Sequence, residues 1–237
     1  MTTNNQWTRG GCAALLLGMA GGAYAVPFTL DFEGVGDQAQ IQDFYNGGTD
    51  SDGNSGTNYG VGFGDNALGV VDGDAGGNGN FANEPSPDTI MFFLSGSSIL
   101  NYSPGFDTGF SFYYTTSQAA SVTVWDQENA GGSLLGQIDL VANSTANNCT
   151  GDPSGQFCNF DVGNVTFSGT AKSIDFSGTA NQVGFDNITF GSDDPNVPGD
   201  DTPTTVVPEP STLVLLGLGL IGVSVTRRRL RMTPATA

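Results

Sequence analysis

The sequence predicts an all-β protein, a single antiparallel β-sandwich of jelly-roll type, and three observations carry that prediction. Apolar residues alternate with period two in many short runs, the pattern of strands with one buried face. No window between residues 26 and 206 sustains the i, i+3, i+4, i+7 spacing of a helix, and glycine or asparagine interrupts nearly every ten residues, so at most one helical turn is expected, near Gln38–Phe44. No repeat of blade length occurs, which disfavours a propeller and leaves an open solenoid as the alternative architecture.

The elements follow in order. Phe28, Leu30 and Phe32 alternate on a first strand, which at 3.3 Å per residue would set Asp31 and Glu33 about 6.6 Å apart on its opposite face. Tyr59/Val61/Phe63 mark the next strand, after a polar glycine-rich loop at 46–57, and a second such loop spans 72–80. Thr89–Leu94 is a continuous apolar run, expected at a sheet centre and paired with Ser98–Tyr102 across Ser-Gly-Ser. Phe110/Phe112/Tyr114, Val122/Val124, Ile138/Leu140, Val165/Phe167 and Ile174/Phe176 supply further strands. In the last strand Val183 and Phe185 alternate, then Ile188 and Phe190 alternate one step out of phase, which predicts a bulge at Asp186-Asn187. Residues 26–191 are enough for one core, burying roughly 70% of the unfolded chain's surface.

The flanks read as addresses. Residues 1–25 have the form of a secretory signal peptide, with Arg9 before an apolar stretch from Cys12 to Ala20 and Ala23-Tyr24-Ala25 as the cleavage site, so the mature chain would begin at Val26. Loss of Cys12 leaves Cys149 and Cys158, with eight residues between them that include Pro and Gly. An oxidising destination favours a local disulfide, with two free thiols as the alternative. In the chain-entropy picture such a bridge contributes about 2.7 kcal/mol.

Residues 192–206 form an acidic, proline-containing linker. After it come Pro208, Glu209 and Pro210, an apolar run from Leu213 to Val225, and the basic residues Arg227, Arg228, Arg229 and Arg231. The run would cover only about 20 Å as a short hydrophobic helix, against a hydrocarbon core of about 30 Å. Its glycines at 217, 219 and 222 weaken it further. The arginines should act as a membrane stop on the cytoplasmic side.

Charge narrows the function. The chain has 24 acidic and 6 basic residues and a formal net charge of −18. Lys172 is the sole cation between residues 26 and 206, while Glu209 is the sole acid outside that stretch. Such a field repels nucleic acid and anionic lipid, and calcium is the partner it suggests. With no histidine, neither a Ser-His-Asp relay nor a His-ligated zinc site can be built. No Gly-x-Ser-x-Gly elbow or phosphate-binding loop is present.

The segment 207–237, with Val-Pro-Glu-Pro-Ser-Thr-Leu, a glycine-punctuated apolar run and an arginine cluster, resembles the PEP-CTERM sorting signal of Gram-negative bacteria. The resemblance implies recognition of Pro208, Glu209 and Pro210 by an inner-membrane exosortase, removal of the tail, and passage through the inner membrane to the cell surface or matrix. It also implies a setting of exopolysaccharide and biofilm. The central region is similar to uncharacterised surface proteins carrying that signal, through Asp-Phe-Glu-Gly, Phe-Tyr-Asn-Gly-Gly and Phe-Asp-Asn-Ile. The Asp-Phe-Glu-Gly start and Phe-Asp-Asn-Ile-Thr-Phe finish also resemble jelly-roll carbohydrate-binding modules, in which first and last strands lie side by side. That resemblance implies a structural calcium at Asp31, Glu33 and Asp186.

Three roles follow from these readings. The first is a structural or adhesive surface protein, which needs only the targeting ends and a stable acidic domain. The second is a calcium-stabilised glycan-binding module using Tyr45, Tyr59, Tyr102, Tyr113 or Trp125. The third is a glycoside hydrolase, for which two carboxylates suffice chemically, although a chain this acidic offers suitable pairs by composition alone. A non-enzymatic role is the expectation. The loop Asp50–Ser55 opens like a calcium-binding loop but has Ser55 and Val61 where glycine and glutamate belong.

Overall fold

Two antiparallel sheets face each other in a computed structural model that describes residues 27–107, 109–151 and 155–196. The signal peptide, most of the linker, Pro208-Glu209-Pro210, the apolar run and the arginine cluster lie outside the described residues.

Eleven strands make up the described fold: β1 (Phe28–Leu30), β2 (Val61–Phe63), β3 (Leu68–Val71), β4 (Thr89–Phe92), β5 (Ser98–Phe106), β6 (Phe110–Thr116), β7 (Ala120–Gln127), β8 (Gly131–Leu140), β9 (Asp161–Val165), β10 (Ala171–Ser177) and β11 (Val183–Phe190). One sheet runs β3-β4-β11-β6-β9, with β1 also pairing with β11, and the other runs β2-β5-β10-β7-β8. From β4 onward the chain crosses between sheets at each step except the β7–β8 hairpin, the sandwich class that the sequence predicts.

The period-two pattern explains the core. On β7 Ala120, Val122 and Val124 point inward while Ser121, Thr123 and Trp125 are half exposed. Phe110, Phe112, Phe176, Phe185 and Phe190 fill the space between the sheets, with Phe176 and Phe185 ring centroids 4.8 Å apart at 61°. Such tilted and edge-to-face contacts add about 0.5–1.5 kcal/mol each beyond burial. Gly163 on β9 stands opposite Phe112, and a Cβ there would lie 2.5 Å from the ring, so this position stays bare. All four residues of β4 are buried. Its outward side chains Ile90 and Phe92 form a second apolar cluster with Val70 and Phe81, beneath the loops that follow β3 and β8.

Three local expectations are corrected. Gln38–Phe44 forms turns and no helix, because Gln38 and Gln42 take φ of 61° and 47° and Gln40 bridges to Leu68. β4 and β5 do not pair with each other: β4 joins β3 and β11, whereas β5 joins β2 and β10, so Ser95-Gly96-Ser97 is a crossover between sheets. Periodicity cannot distinguish the two, since both faces of β4 are covered. The first strand stops at Leu30, and Phe32 turns the chain at φ 63°, so Asp31 and Glu33 do not share a strand face. The expected bulge is present: the β11–β6 register shifts between Asp186 and Thr189, with Asn187 at φ 47°.

Cys149 and Cys158 are joined by a disulfide with Cα atoms 4.9 Å apart. The Asn83 side chain donates to the carbonyls of Asn148 and Cys158, each at 2.9 Å. The loop after β3 is thereby tied to the disulfide loop.

Candidate functional site

The first and last strands meet where the sequence places its carboxylates. β1 pairs with the distal half of β11, Phe28 opposite Phe190 and Leu30 opposite Ile188, while β4 takes the near half. Where β1 ends, the bulge turns Asp186 into a closed space, and its side chain is fully buried.

Three donors converge on Asp186. The Ser86 N–H donates at 2.9 Å, the Ser86 hydroxyl lies 2.8 Å from Oδ2, and the Asn187 N–H donates at 2.7 Å. Burial nevertheless raises its pKa to about 8, against those bonds and with Glu33 adding to the rise.

Ser86 is the centre of the arrangement. Its hydroxyl has four acceptor oxygens within 3.3 Å: both carboxyl oxygens of Asp186, the carbonyl of Asp31 at 3.0 Å and the carbonyl of Thr89 at 3.3 Å. A hydroxyl carries one proton, so Ser86 can donate to only one of these four oxygens at a time.

Glu33 and the Asp31 carboxylate lie at the edge of this cluster. Glu33 Oε1 accepts the N–H groups of Asp88 at 3.0 Å and Thr89 at 2.9 Å. Asp31 Oδ1 accepts the Tyr45 hydroxyl at 3.3 Å, and that hydroxyl accepts the Phe32 N–H at 2.7 Å. Burial, then the Asp31 charge, pushes the Tyr45 phenol well above its usual range. The three sequence-predicted residues are thus neighbours, but Asp31 reaches Ser86 through its carbonyl and not its carboxylate. Among the described residues no group of three or more Cys, Asp or Glu side chains is gathered around one point.

A polar cleft of about 560 Å³ opens beside the cluster, lined by Asp31, Glu33, Tyr45, Tyr59, Asn187 and Asn196 among others. Sequence reasoning missed Ser86 and the Thr89 carbonyl. Neither carries a signal in Glu-Pro-Ser-Pro-Asp-Thr, because only the fold brings them against Asp31 and Asp186.

The other sequence candidates separate. Asp50 is buried and accepts the N–H groups of Gly36, Asp52 and Asn54 and the Asn54 side chain, so it closes its own loop. Asp72, in the second glycine-rich loop, is pushed up to about 7 by burial and by a hydrogen bond shared with Asp74. Among the aromatic candidates Tyr45 is core, at 3% exposure, and Tyr59 and Tyr102 pack against Phe28. Trp125 donates to Thr123, and the Tyr113 hydroxyl bonds Asn196. Tyr45 and Tyr59 both border the polar cleft, whereas Tyr102, Tyr113 and Trp125 do not line it.

Residues 206–229 match the family of the PEP-CTERM protein-sorting motif. The chain is therefore an exported protein of the class sorted by exosortase, and the motif contains Pro208, Glu209, Pro210 and the first arginines of the cluster. No curated protein matches the sequence. Among solved structures, the chain is similar to a glycoside hydrolase family 43 arabinoxylan arabinofuranohydrolase from Bacillus subtilis in complex with cellotetraose. The identity is 17% over 46% of this chain and 23% of that one, at a TM-score of 0.31. It is also similar to an isomalto-dextranase from Arthrobacter globiformis T6 complexed with panose, at 10% identity over 70% of this chain and 32% of that one, with a TM-score of 0.34. The matched part is about a quarter to a third of the length of those proteins.

Proposed function

We propose that the protein passes through the inner membrane transiently and is delivered to the cell surface or extracellular matrix, where its acidic sandwich serves as structural or adhesive material in an exopolysaccharide setting. The observation that carries this reading is the sorting motif at residues 206–229, which follows the β-sandwich in sequence. A non-catalytic role is supported by the carboxylate cluster itself. Asp186, whose pKa is raised to about 8, is fully enclosed, so no substrate atom reaches it.

The test is the intact mass of the protein from surface, medium and membrane fractions of its own cells. The expected species runs from Val26 to the Pro208-Glu209-Pro210 region and is found outside the inner membrane. A species that keeps Leu213–Ala237 and stays in the inner-membrane fraction would overturn the reading.

A second reading, calcium as a structural ion, is favoured by the oxygens around Ser86. Calcium takes six to eight oxygens from carboxylates, carbonyls, hydroxyls and water. Asp186, the carbonyls of Asp31 and Thr89, Ser86 and the neighbouring Glu33 form a donor set of that chemistry. An ion binding only the folded state at a hundred times its Kd stabilises by about 2.7 kcal/mol. Melting curves in calcium and in chelator, at matched ionic strength, should then differ by several degrees in favour of calcium. Superimposed curves would remove calcium from the account.

A further inference from the structure

The outer face of the five-stranded sheet holds a carboxylate that the fold leaves without a partner. Ile174 and Phe176 point into the core, so Asp175 between them stands half-buried on the outer face of β10. It lies in register with Ile99 on β5 and Thr123 on β7, and Thr123 in turn with Gln137 on β8. Its Oδ1 is buried and accepts no hydrogen bond. Its Oδ2 is also unbonded, but it is open to solvent.

The groups around it are engaged. Asp139 accepts the Gln137 amide at 2.7 Å, and Asp126 accepts the Ser133 N–H at 2.7 Å. The tip of the β7–β8 hairpin closes over β5 and β10, where Asn101 and Asn129 bond each other and the Ser173 hydroxyl bonds the Gln127 carbonyl and the Ala130 N–H. Lys172, the one basic side chain among the described residues, lies three positions before Asp175 and forms no ion pair with it. Buried carboxylate oxygens in folded proteins are as a rule satisfied, so this one calls for a partner from outside.

An aromatic ring stands beside it. Trp125 is the diagonal neighbour of Asp175 across β7, a position whose separation of about 7–8 Å an indole can bridge. Its N–H donates to the Thr123 hydroxyl at 2.9 Å, which turns the ring along β7 toward the carboxylate. Trp125 is half-exposed, so part of the indole faces solvent next to Asp175 Oδ2. The Thr123 proton and Gln137 Oε1 remain free for further bonds.

Charge and shape together select the occupant. A ring face beside a carboxylate attracts a cation through its quadrupole as well as through the unmatched charge. The formal charge of −18 draws cations toward the chain and repels uronates. A calcium ion takes six to eight oxygens and would find no group of three acidic side chains here. A neutral sugar leaves the carboxylate's charge unmatched, and a lone alkylammonium leaves Thr123 and Gln137 unused. An amino sugar meets every group at once: an ammonium for Asp175, C–H faces for Trp125 and Ile99, and ring hydroxyls for Thr123 and Gln137.

We propose that this face binds a polysaccharide carrying free amino groups, of the glucosamine type, with Asp175 holding an ammonium, Trp125 stacking on the sugar ring, and Thr123 and Gln137 bonding its hydroxyls. The assignment rests on the reading of the sandwich as the adhesive part of the protein and names the site and the ligand class.

The experiment titrates the protein recovered from its own cells with a glucosamine hexasaccharide, at physiological salt and a mildly acidic pH that keeps the sugar amines protonated. Once the signal peptide is removed Trp125 is the only tryptophan, so its fluorescence reads the site directly, and calorimetry gives the affinity. The hexasaccharides of N-acetylglucosamine and of glucose test whether the amine is read, and hexalysine tests whether charge alone suffices. Asp175→Asn keeps the shape of the side chain and removes its charge. Asp139→Asn removes the same charge from the same face and serves as control. The expected result is a change in Trp125 fluorescence with the glucosamine hexasaccharide, and binding at least fivefold tighter than any comparison. Asp175→Asn should weaken it fivefold or more with an unchanged fold by circular dichroism, and Asp139→Asn should change it less than twofold. Absence of binding at millimolar concentration, equal binding of hexalysine or of either other hexasaccharide, or equal weakening by the two variants would each overturn the proposal. The fractionation experiment reads delivery alone, so either reading can fail while the other stands.

Discussion

At the scale of single residues, burial sets the behaviour of the carboxyls. Asp72 is 2% exposed and is pushed up to about 7 by burial and its bond with Asp74, from an ordinary value near 4. The folded state therefore holds a proton here that the unfolded state has lost across roughly pH 4–7. This group's contribution to stability is fully present below the unfolded pKa and is lost as pH rises through about 7. Thermal unfolding should show a melting temperature that climbs as pH falls from 7.5 toward 4.5. Asp72→Asn, which removes the charge and keeps the shape, should raise the melting temperature at pH 7.5 and flatten that slope. An unchanged slope in the variant would locate the effect at another carboxyl.

At the scale of elements, turns are where the sequence pays for the sandwich. The β7–β8 hairpin closes through Gly131 N–H donating to the Glu128 carbonyl at 3.1 Å, with Asn129 at φ 58° and Ala130 at φ 53°. Two consecutive left-handed residues are the type I′ turn that matches the twist of a hairpin. Asparagine tolerates this conformation, whereas alanine is strained there by about 1 kcal/mol. Ala130→Gly should therefore stabilise the protein by about 0.5–1 kcal/mol, offset in part by the greater freedom of glycine when unfolded. The Ala130 N–H bond to the Ser173 hydroxyl survives the change. Chemical denaturation checks it: the midpoint should rise with an unchanged slope.

At the scale of the whole molecule, the balance of charge dominates. Lys172 is the only basic side chain among the described residues, so acid faces acid across most of the surface. Folding concentrates that like charge, and salt relieves it, since the screening length falls from about 30 Å at 0.01 M to about 8 Å at 0.15 M. Raising sodium chloride across that range should lift the melting temperature by a few degrees. Calcium chloride at equal ionic strength should lift it further if the oxygens around Asp186 hold the ion. The same field favours solubility in an exported protein and discourages binding to anionic lipid or nucleic acid.

Much of this was legible along the chain because it depends on local order. Period-two alternation determined the strands of the core, the phase break at Asp186-Asn187 determined the bulge, and the motif around Pro208-Glu209-Pro210 determined the sorting route. Local order could not reveal which strands are neighbours. Thr89–Leu94 reads the same whether it pairs with the next strand or crosses to the other sheet, because burial on both faces erases the alternation that would mark a side. Nor could it find Ser86 beside Asp186, or Asp175 beside Thr123 and Trp125. These groups are far apart in sequence, and their chemistry arises only when folding sets them side by side. The sequence by itself determined what kind of fold this is and that the protein is exported. The tertiary structure alone decided which polar groups are buried together without partners, since burial is a property of packing and not of any one segment.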